Sequence, residues 1–368
     1  TFGMEGMFRQ IGIYAPFGQK YKPQDADQLM YYREDQKGQV LQEGISEPGA
    51  MSAWMAAASS YSSIVVPLLP FYIYYSMFGF QRIGDLAWAA GDLRCRGFLV
   101  GGTAGRTTLN GEGLQHEDGH SHLLAGAIPN CRAYDPTFSY EVAVILQDGV
   151  RRMLHEQEDV YYYVTVMNEN YAHPDMPEGS AEGIVKGMYL LRDAGRQKKN
   201  VPRVQLLGSG TILRECVAAA ELLDKEFGVA ADVWSCPSFS ELRRDGFDCE
   251  RWNRLHPEAK ERRVPYLAQC LSGHDGPAVA ATDYVREYAD QVRAFMPDGK
   301  RYVVLGTDGY GRSDTREHLR AFFEVDRRWI AHAAIAALAA DGTMNAQDVA
   351  RAIKQWKLDP EKPNPLGV

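Results

Sequence analysis

The sequence lacks features that several classes of protein require. Its 368 residues contain no dense run of lysine and arginine, and the formal net charge is -8, so nothing supplies the basic surface that neutralises nucleic-acid phosphates. The apolar stretch at residues 64–80 is interrupted by two prolines and rich in tyrosine, which argues against a transmembrane helix and favours a buried strand with its approaches. We therefore expect neither a nucleic-acid partner nor a membrane partner.

The cysteine pattern also lacks any C-x-x-C pair, and no secretory leader precedes it. Dispersed cysteines without a leader are typical of a reducing compartment, where most are small buried apolar residues. The six are Cys95, Cys131, Cys216, Cys236, Cys249 and Cys270. We expect a cytoplasmic protein and, because the chain starts at Thr1 without an initiator methionine, a piece of something longer.

Strand-like and helix-like segments alternate along the chain. The strand-like runs lie at residues 70–75, 97–101, 160–166, 204–207, 232–235, 278–282 and 302–305. This alternation predicts an α/β fold with mainly parallel sheets flanked by helices. The segment His173–Ser180, rich in proline and glycine, separates two such series. We predict one domain at residues 1–176 and a second at residues 177–368.

The segment Gly101–His122, GGTAGRTTLNGEGLQHEDGHSH, concentrates glycines, histidines and carboxylates. Glycine lets the backbone approach a ligand closely, and clustered histidines and carboxylates suit proton transfer. Two alternatives stay open from the residues alone. A zinc or iron site is one, although the segment does not match H-E-x-x-H, and a solvated glycine-rich turn is the other.

Glu47 is a second candidate for chemistry. In EGISEPGAMSAWMAAASSY, Ser46 is placed to cap a helix whose first turn contains Glu47 and Pro48. A carboxylate there could simply favour the helix dipole. The small and apolar residues that follow predict close burial, however, where a carboxylate needs a hydrogen-bond donor. Glu47 is therefore either a helix-end charge or a buried group awaiting a ligand nitrogen.

Two further glycine-rich turns follow predicted strands. The first, Gly208-Ser209-Gly210, lacks the third glycine and the later acidic residue of a dinucleotide site, so a structural turn is favoured over a phosphate site. In the second, GTDGYGRSD at residues 306–314, we expect Asp308 and Arg312 to pair.

Several segments agree in order and spacing with one family. The runs EGISEPGAMSAWMAAASSY, PFYIYYSMFGFQRIGDLAWAAGD, GGTAGRTTLNGEGLQHEDGHSH and VLGTDGYGRSDTRE resemble the homodimeric pyruvate dehydrogenase component of bacteria, a thiamine-diphosphate enzyme. The resemblance covers nearly the whole chain. The layout of the chain is similar to that of the pyrimidine-binding and C-terminal domains of transketolase, and this similarity implies two transketolase-like α/β domains.

The resemblance implies roles for cofactor-binding residues. Glu47 matches the glutamate that hydrogen-bonds the N1' nitrogen of the thiamine diphosphate aminopyrimidine and so acts in catalysis. Tyr75 and Phe78 match aromatic residues that line the cofactor site, although Phe78 could instead be a sheet-core aromatic. The segment Phe17–Arg33 corresponds to a mobile active-site loop, which its polar composition supports.

The same resemblance implies roles for the histidines. His116 matches a catalytic histidine that hydrogen-bonds substrate-derived oxygen or passes protons. His120 and His122 are implied to contact substrate or to hold the loop.

The resemblance also implies a reaction and partners. The family decarboxylates pyruvate and acetylates the lipoyl group of dihydrolipoyl acetyltransferase, at sites formed between the subunits of a homodimer. It holds the diphosphate and Mg²⁺ with a G-D-G motif that does not occur here. We therefore expect Mg²⁺ to be bound by an N-terminal domain that this chain lacks, with no metal ligands in this chain. An assembly fragment inactive alone and a transketolase-type transferase are the alternatives.

Overall fold

The computed structural model describes residues 5–24, 32–110, 112–195 and 201–368. It begins with the helix α1 (Glu5–Ile11) and two short parallel strands, β1 (Ile13–Tyr14) and β2 (Glu34–Asp35). Two larger parallel or mainly parallel sheets follow. The predicted α/β fold with sheets flanked by helices is confirmed.

The first sheet has four parallel strands in the order β3-β4-β6-β5. They are β3 (Phe71–Tyr75), β4 (Phe98–Gly102), β5 (Cys131–Tyr134) and β6 (Tyr161–Thr165). The strand predicted at residues 160–166 corresponds to β6. It is central, and all five residues of β6 are buried. The buried strand expected within residues 64–80 is instead an edge strand, and in β3 only Tyr74 is buried.

Helices cover both faces of this sheet. They are α2 (Glu47–Ala58), α3 (Ser60–Ser63), α4 (Ser76–Asp92), α5 (Ser121–Ala127) and α6 (Ser139–Val150), the last continuing into a π-helical turn at Arg151–His155. Successive tyrosines of β6 point to opposite faces. Tyr161 and Tyr163 pack with Trp54 and Ile83, whereas Tyr162 joins the core on the other face.

The second sheet has five strands in the order β11-β10-β8-β9-β7, and only β7 is antiparallel to its neighbour. The strands are β7 (Tyr189–Arg192), β8 (Arg203–Gly208), β9 (Ala230–Ser235), β10 (Ala278–Ala281) and β11 (Tyr302–Leu305). The strands predicted at residues 204–207, 232–235, 278–282 and 302–305 correspond to β8, β9, β10 and β11.

Eight helices of the described part accompany this sheet. They are α7 (Ala181–Lys186), α8 (Ile212–Leu222), α9 (Phe239–Leu255), α10 (Tyr266–Leu271), α11 (Glu287–Asp290), α12 (Arg316–Phe322), α13 (Arg327–Ala340) and α14 (Ala346–Trp356). The predicted domain boundary at residues 176 and 177 lies in the connection between β6 and α7. Its position stays a prediction.

Buried carboxylates join the two sheet units. Asp283, which follows β10, accepts hydrogen bonds from the backbone N–H and hydroxyl of both Thr107 and Thr108, over 2.6–3.1 Å. Asp135, which follows β5, accepts from Ser209 at 2.7 Å and Tyr284 at 3.1 Å. Burial raises the pKa of both carboxyl groups. The ends of the two sheets are therefore fastened by groups that need these partners.

The glycine-rich turns have structural roles. Ser209 is fully buried and donates to Asp135. The hydroxyl of the turn at residues 208–210 is therefore used within the protein, which agrees with the structural turn favoured above. The expected pairing of Asp308 with Arg312 is wrong. Asp308 pairs with Arg286, because it faces the segment before α11, whereas the Arg312 backbone donates to Glu117.

The cysteines are unpaired thiols, and all except the half-buried Cys270 are buried. Among the residues that the structure describes, no helix has both the length and the apolar character needed to cross a membrane.

Candidate active site

The candidate residues gather at the carboxyl end of the first sheet. β3 ends at Tyr75, β4 ends at Gly102, and the segment Gly101–His122 leaves from that edge. A Cβ atom on Gly101 would lie 2.5 Å from the Tyr163 hydroxyl, so only glycine permits this close packing. Thr103 has a φ of 53°, a strained value for a β-branched residue. Ligands commonly bind at this edge in open α/β sheets.

Glu47 lies in the first turn of α2. Ser46 caps the helix, accepting the backbone N–H of Gly49 at 3.3 Å, as predicted. The Glu47 side chain is 17% exposed and its Oε1 lies 2.5 Å from Nη1 of Arg82. Its Oε2 accepts no hydrogen bond from the described residues. One carboxylate oxygen is therefore paired with Arg82 and the other has no donor among the described residues, and the role of Glu47 stays a prediction.

Tyr75, Phe78 and His116 form a cluster of three rings, called here the ring cluster. The His116 ring lies 4.8 Å from the Phe78 ring and 5.5 Å from the Tyr75 ring, both edge-on, and Tyr75 lies 6.2 Å from Phe78. Phe78 is in the first turn of α4 and half-buried. The sheet-core alternative for Phe78 is therefore wrong.

The ring cluster offers both aromatic surface and a polar atom. Tyr75 is 41% exposed, so the cluster is an open surface. His116 ends a 3₁₀ turn at Leu114–His116, and its Nδ1 is buried without a hydrogen-bond partner in the described part of the chain. Buried polar atoms are normally satisfied, so the hydrogen-bonding capacity of Nδ1 is unused within the described residues.

His120 lies beside the ring cluster. Its Nε2 is 3.3 Å from Nε2 of Gln81, on the helix that carries Phe78. The segment is held in place by Asp118, which accepts the backbone N–H of His120 at 3.0 Å and of Ser121 at 2.9 Å. His120 is half-buried and thus near the candidate surface.

His122 lies away from this surface. Its side chain is 1% exposed and is surrounded by Tyr163, Tyr284 and Tyr288, at ring distances of 5.2, 4.8 and 4.7 Å. Its Nε2 is 3.0 Å from the Thr165 hydroxyl, and burial lowers its pKa to about 4. This placement favours the loop-holding role over contact with substrate.

Glu117 is a buried acid next to His116. Its Oε2 accepts the Arg312 backbone N–H at 2.5 Å, and its Oε1 lacks a partner in the described residues. Burial raises the pKa of Glu117 to about 8. Glu117 ties the segment to the second unit.

The metal alternative for this segment finds no support in the geometry. Three or more histidine, cysteine or carboxylate side chains that could hold an ion do not come together anywhere in residues 5–24, 32–110, 112–195 and 201–368. His116, His120 and His122 instead have separate partners.

The predicted loop Phe17–Arg33 is described in part. Residues 25–31 lie outside the described residues. Of the remainder, Phe17 is 76% and Tyr21 is 57% exposed, so these rings have little contact with the sheet units.

The donor set fits an aminopyrimidine ring. A free carboxylate oxygen on Glu47 suits a ring nitrogen, the ring cluster provides aromatic surface, and the unpartnered His116 Nδ1 suits a polar group at its edge. Arg82 was absent from the sequence-based set. The four-residue spacing between Phe78 and Arg82 could have indicated it, because this spacing places both side chains on one face of a helix.

Comparisons with known proteins find similar sequences along nearly the whole chain. Residues 1–174 match the family model of the pyruvate dehydrogenase E1 component middle domain, and residues 187–326 match the transketolase-like C-terminal domain. The pyruvate dehydrogenase E1 components of Pseudomonas aeruginosa and Escherichia coli K12 are 64% and 60% identical over 366 residues. These matches cover 100% and 99% of this chain, which spans about 40% of the length of those relatives.

Solved transketolases share the fold. Transketolase from Leishmania mexicana has a TM-score of 0.62 at 16% identity, over 94% of this chain and 46% of that one. A split-gene transketolase described as an inactive β4 tetramer has a TM-score of 0.56 at 13% identity, over 91% of this chain and 96% of that one. These likenesses establish a transketolase-like fold.

Proposed function

Because the chain belongs to the pyruvate dehydrogenase E1 component family, we propose that it supplies one wall of a thiamine-diphosphate site that decarboxylates pyruvate. One observation carries this proposal: Arg82 contacts both Glu47 and the Phe78 ring of the ring cluster, so the carboxylate and the rings lie together at the carboxyl end of the first sheet. This surface has the carboxylate and the aromatic rings that an aminopyrimidine needs.

The residues of this chain have distinct tasks in the proposal. Bound thiamine diphosphate supplies the electron sink for decarboxylation. Glu47 holds the pyrimidine N1' nitrogen through Oε2, while Tyr75 and Phe78 cover the ring and exclude water. His116 uses Nδ1 to hydrogen-bond an oxygen of the substrate or to pass a proton. His120 stands nearby for substrate contact, and His122 supports the segment from beneath.

The other wall belongs to protein outside this sequence. We assign the pyrimidine to residues 1–176, a transketolase-like C-terminal domain to residues 177–368, and the diphosphate with Mg²⁺ to a domain that supplies the missing G-D-G motif. The 41% exposure of Tyr75 supports a site that is closed by another protein surface. We further propose a homodimer that acts on pyruvate and on the lipoyl group of dihydrolipoyl acetyltransferase. Six unpaired cysteines support a cytoplasmic location.

Replacing Glu47 tests the catalytic assignment. In the full-length protein with thiamine diphosphate, Mg²⁺ and pyruvate, Glu47→Ala should lower carbon dioxide release about 10²-fold or more, because proton transfer at the pyrimidine loses its partner. Glu43→Ala is the matched control, since Glu43 is an exposed carboxylate four residues away, and should keep full activity. Unchanged release by Glu47→Ala would falsify the assignment.

The requirement for a second wall is tested separately. The chain alone should release no carbon dioxide, and addition of the missing domain should restore release. Activity of the chain alone would overturn the two-wall proposal. Transfer between sugar phosphates in place of pyruvate decarboxylation would favour a transketolase-type function.

A further inference from the structure

We propose that Tyr310 and Leu114 form an apolar contact for the lipoyl arm of the acetyltransferase at the edge of the candidate active site. The inference rests on the proposed function and assigns binding residues to its second half reaction. In that half reaction the S–S bond of the lipoyl group breaks, one sulfur receives the acetyl group, and the other takes up a proton and becomes a thiol. The two electrons that departing carbon dioxide leaves behind reduce the disulfide.

Two large apolar side chains beside the ring cluster are exposed. Leu114 begins the 3₁₀ turn that ends at His116, and it is 53% exposed. Tyr310 lies in the glycine-rich turn after β11 and is 84% exposed. A single exposed apolar residue is ordinary. Two of them, one from each sheet unit, at the turn that carries His116 indicate a contact surface.

The two residues are neighbours because their backbones pack together. A Cβ atom on Gly311 would lie 2.8 Å from the Leu114 carbonyl oxygen and 2.7 Å from Oε2 of Glu117, so only glycine permits this approach. The next residue, Arg312, donates its backbone N–H to the same Glu117 oxygen. The turn that carries Tyr310 is therefore fastened to the turn that carries Leu114.

A buried arginine fixes the other side of the Tyr310 turn. Arg106 is 4% exposed, and its Nη1 donates to the carbonyl oxygens of Thr307 and Gly309, both at 2.5 Å. Gly309 has a φ of 101°, which residues with a side chain rarely adopt. The backbone on both sides of Tyr310 is thus held in place. An aromatic ring on a fixed backbone loses less conformational freedom on binding than one on a mobile loop.

The chemistry of the lipoyl arm matches these two side chains. The arm is an aliphatic chain that ends in a dithiolane ring, and it must come from solvent to a site that includes His116. Leu114 is two residues from His116, so it lies at the edge that such a chain would cross. Apolar side chains there lower the free energy of the chain by removing its surface from water. Pyruvate is a small anion and gains nothing from this contact, so the two residues should affect the second half reaction alone.

The test measures the two half reactions separately in the full-length protein with thiamine diphosphate and Mg²⁺. Dichlorophenolindophenol, a dye that accepts the two electrons in place of the lipoyl disulfide, reports decarboxylation. Mass spectrometry of lipoylated dihydrolipoyl acetyltransferase reports acetyl transfer. Tyr310→Ser should raise the KM for the acetyltransferase about tenfold and leave the dye reaction within about twofold. Tyr310→Phe should behave as wild type, because the ring and not the hydroxyl makes the contact.

Leu114→Ala tests the second residue of the contact. It should raise the same KM about threefold, because it removes less apolar surface than Tyr310→Ser. Leu255→Ala is the matched control, since Leu255 is 55% exposed at the end of α9, and it should change neither half reaction. If Leu114→Ala slows the dye reaction as much as acetyl transfer, Leu114 acts by holding His116 and its assignment to the arm is wrong.

The outcomes separate this inference from the proposed function. An unchanged KM for the acetyltransferase in Tyr310→Ser overturns the assignment of Tyr310. An equal loss in both half reactions also overturns it, and weaker binding of thiamine diphosphate or a dissociated dimer would then identify the missing domain or a second copy of the chain as the occupant. A wild-type protein that reduces the dye but acetylates no lipoyl group overturns the proposed partner. A wild-type protein that does neither overturns the proposed function itself.

Discussion

Burial separates the three histidines of the segment HEDGHSH, although their side chains are chemically identical. His116 reaches the ring cluster and keeps an unpartnered Nδ1, and His120 lies beside Gln81. His122, only two residues further, is enclosed by tyrosines. Alternation along the segment could not establish this difference, because α5 begins at Ser121 and turns the last histidine inward.

We predict that His122→Gln changes stability and its pH dependence more than turnover. Burial lowers the pKa of His122 from its ordinary 6.5 to about 4, so between these values the unfolded chain binds the proton more readily. The stabilisation is fully present above pH 6.5 and is lost as pH falls toward 4. His122→Gln should lower stability by about 1–3 kcal/mol at pH 7 and flatten this acid-side decline.

Thermal melts from pH 7.5 to 4.5 measure both effects. His116→Gln provides the comparison: it should lower turnover about 10²-fold with a nearly unchanged melting temperature, because its ring is partly exposed. Equal acid-side slopes for wild type and His122→Gln would contradict the assignment of His122 as the titrating group.

At the scale of the element, the helix α2 was the most predictable feature of the site. Serine before glutamate and proline indicated its start, and the structure has this cap. Local sequence sufficed because a helix terminus is satisfied by residues within one turn. The strands β8 and β11 were likewise recognisable as short apolar runs between turns.

We predict that Ser46→Ala weakens the start of α2. The loss of the hydrogen bond from the Gly49 N–H should lower the free energy of unfolding by about 1 kcal/mol, whereas Ser46→Asp should retain most of it. Urea denaturation measures the difference. Ser52→Ala is the control, since its exposed hydroxyl donates to the Pro48 carbonyl within the helix, and it should change stability by less than about 0.5 kcal/mol. Ser46→Ala indistinguishable from Ser52→Ala would refute the capping role.

Two strands of the larger sheets were missed for a common reason. β5 and β7 have four residues each, and each contains an arginine, Arg132 or Arg192. The arginine leaves each of these strands with a shorter apolar stretch than β10 or β11, which have the same length, and pairing with β6 or β9 defines them. The edge position of β3 also depended on pairing, because an apolar run predicts burial but does not show whether a strand has neighbours on both sides or on one side.

At the scale of the whole molecule, the two sheet units depend on buried polar contacts. Asp283 is 2% exposed and receives four hydrogen bonds from Thr107 and Thr108. Arg132 of β5 adds an ion pair with Glu241 of α9 at 2.8 Å. These contacts hold the candidate segment against the second unit, so its geometry depends on both.

We predict that Asp283→Ala uncouples the two units. It leaves buried donors of Thr107 and Thr108 without acceptors, which should lower stability by at least about 3 kcal/mol and divide calorimetric unfolding into two transitions. Asp283→Asn should be milder, because burial raises the pKa of this carboxyl and a neutral amide keeps one acceptor. A single transition with unchanged melting temperature for Asp283→Ala would disprove the coupling.

The sequence by itself determined the α/β class, the cap of α2 and the family, because these depend on local pattern and on specific motifs. The family resemblance also indicated Glu47, Tyr75, Phe78 and His116 as a group. Only the tertiary structure placed Arg82 against Glu47 and enclosed His122, since both results require elements distant in the chain to pack together. Glu47 and Arg82 are 35 residues apart, and no local pattern records which side chains two helices bring into contact.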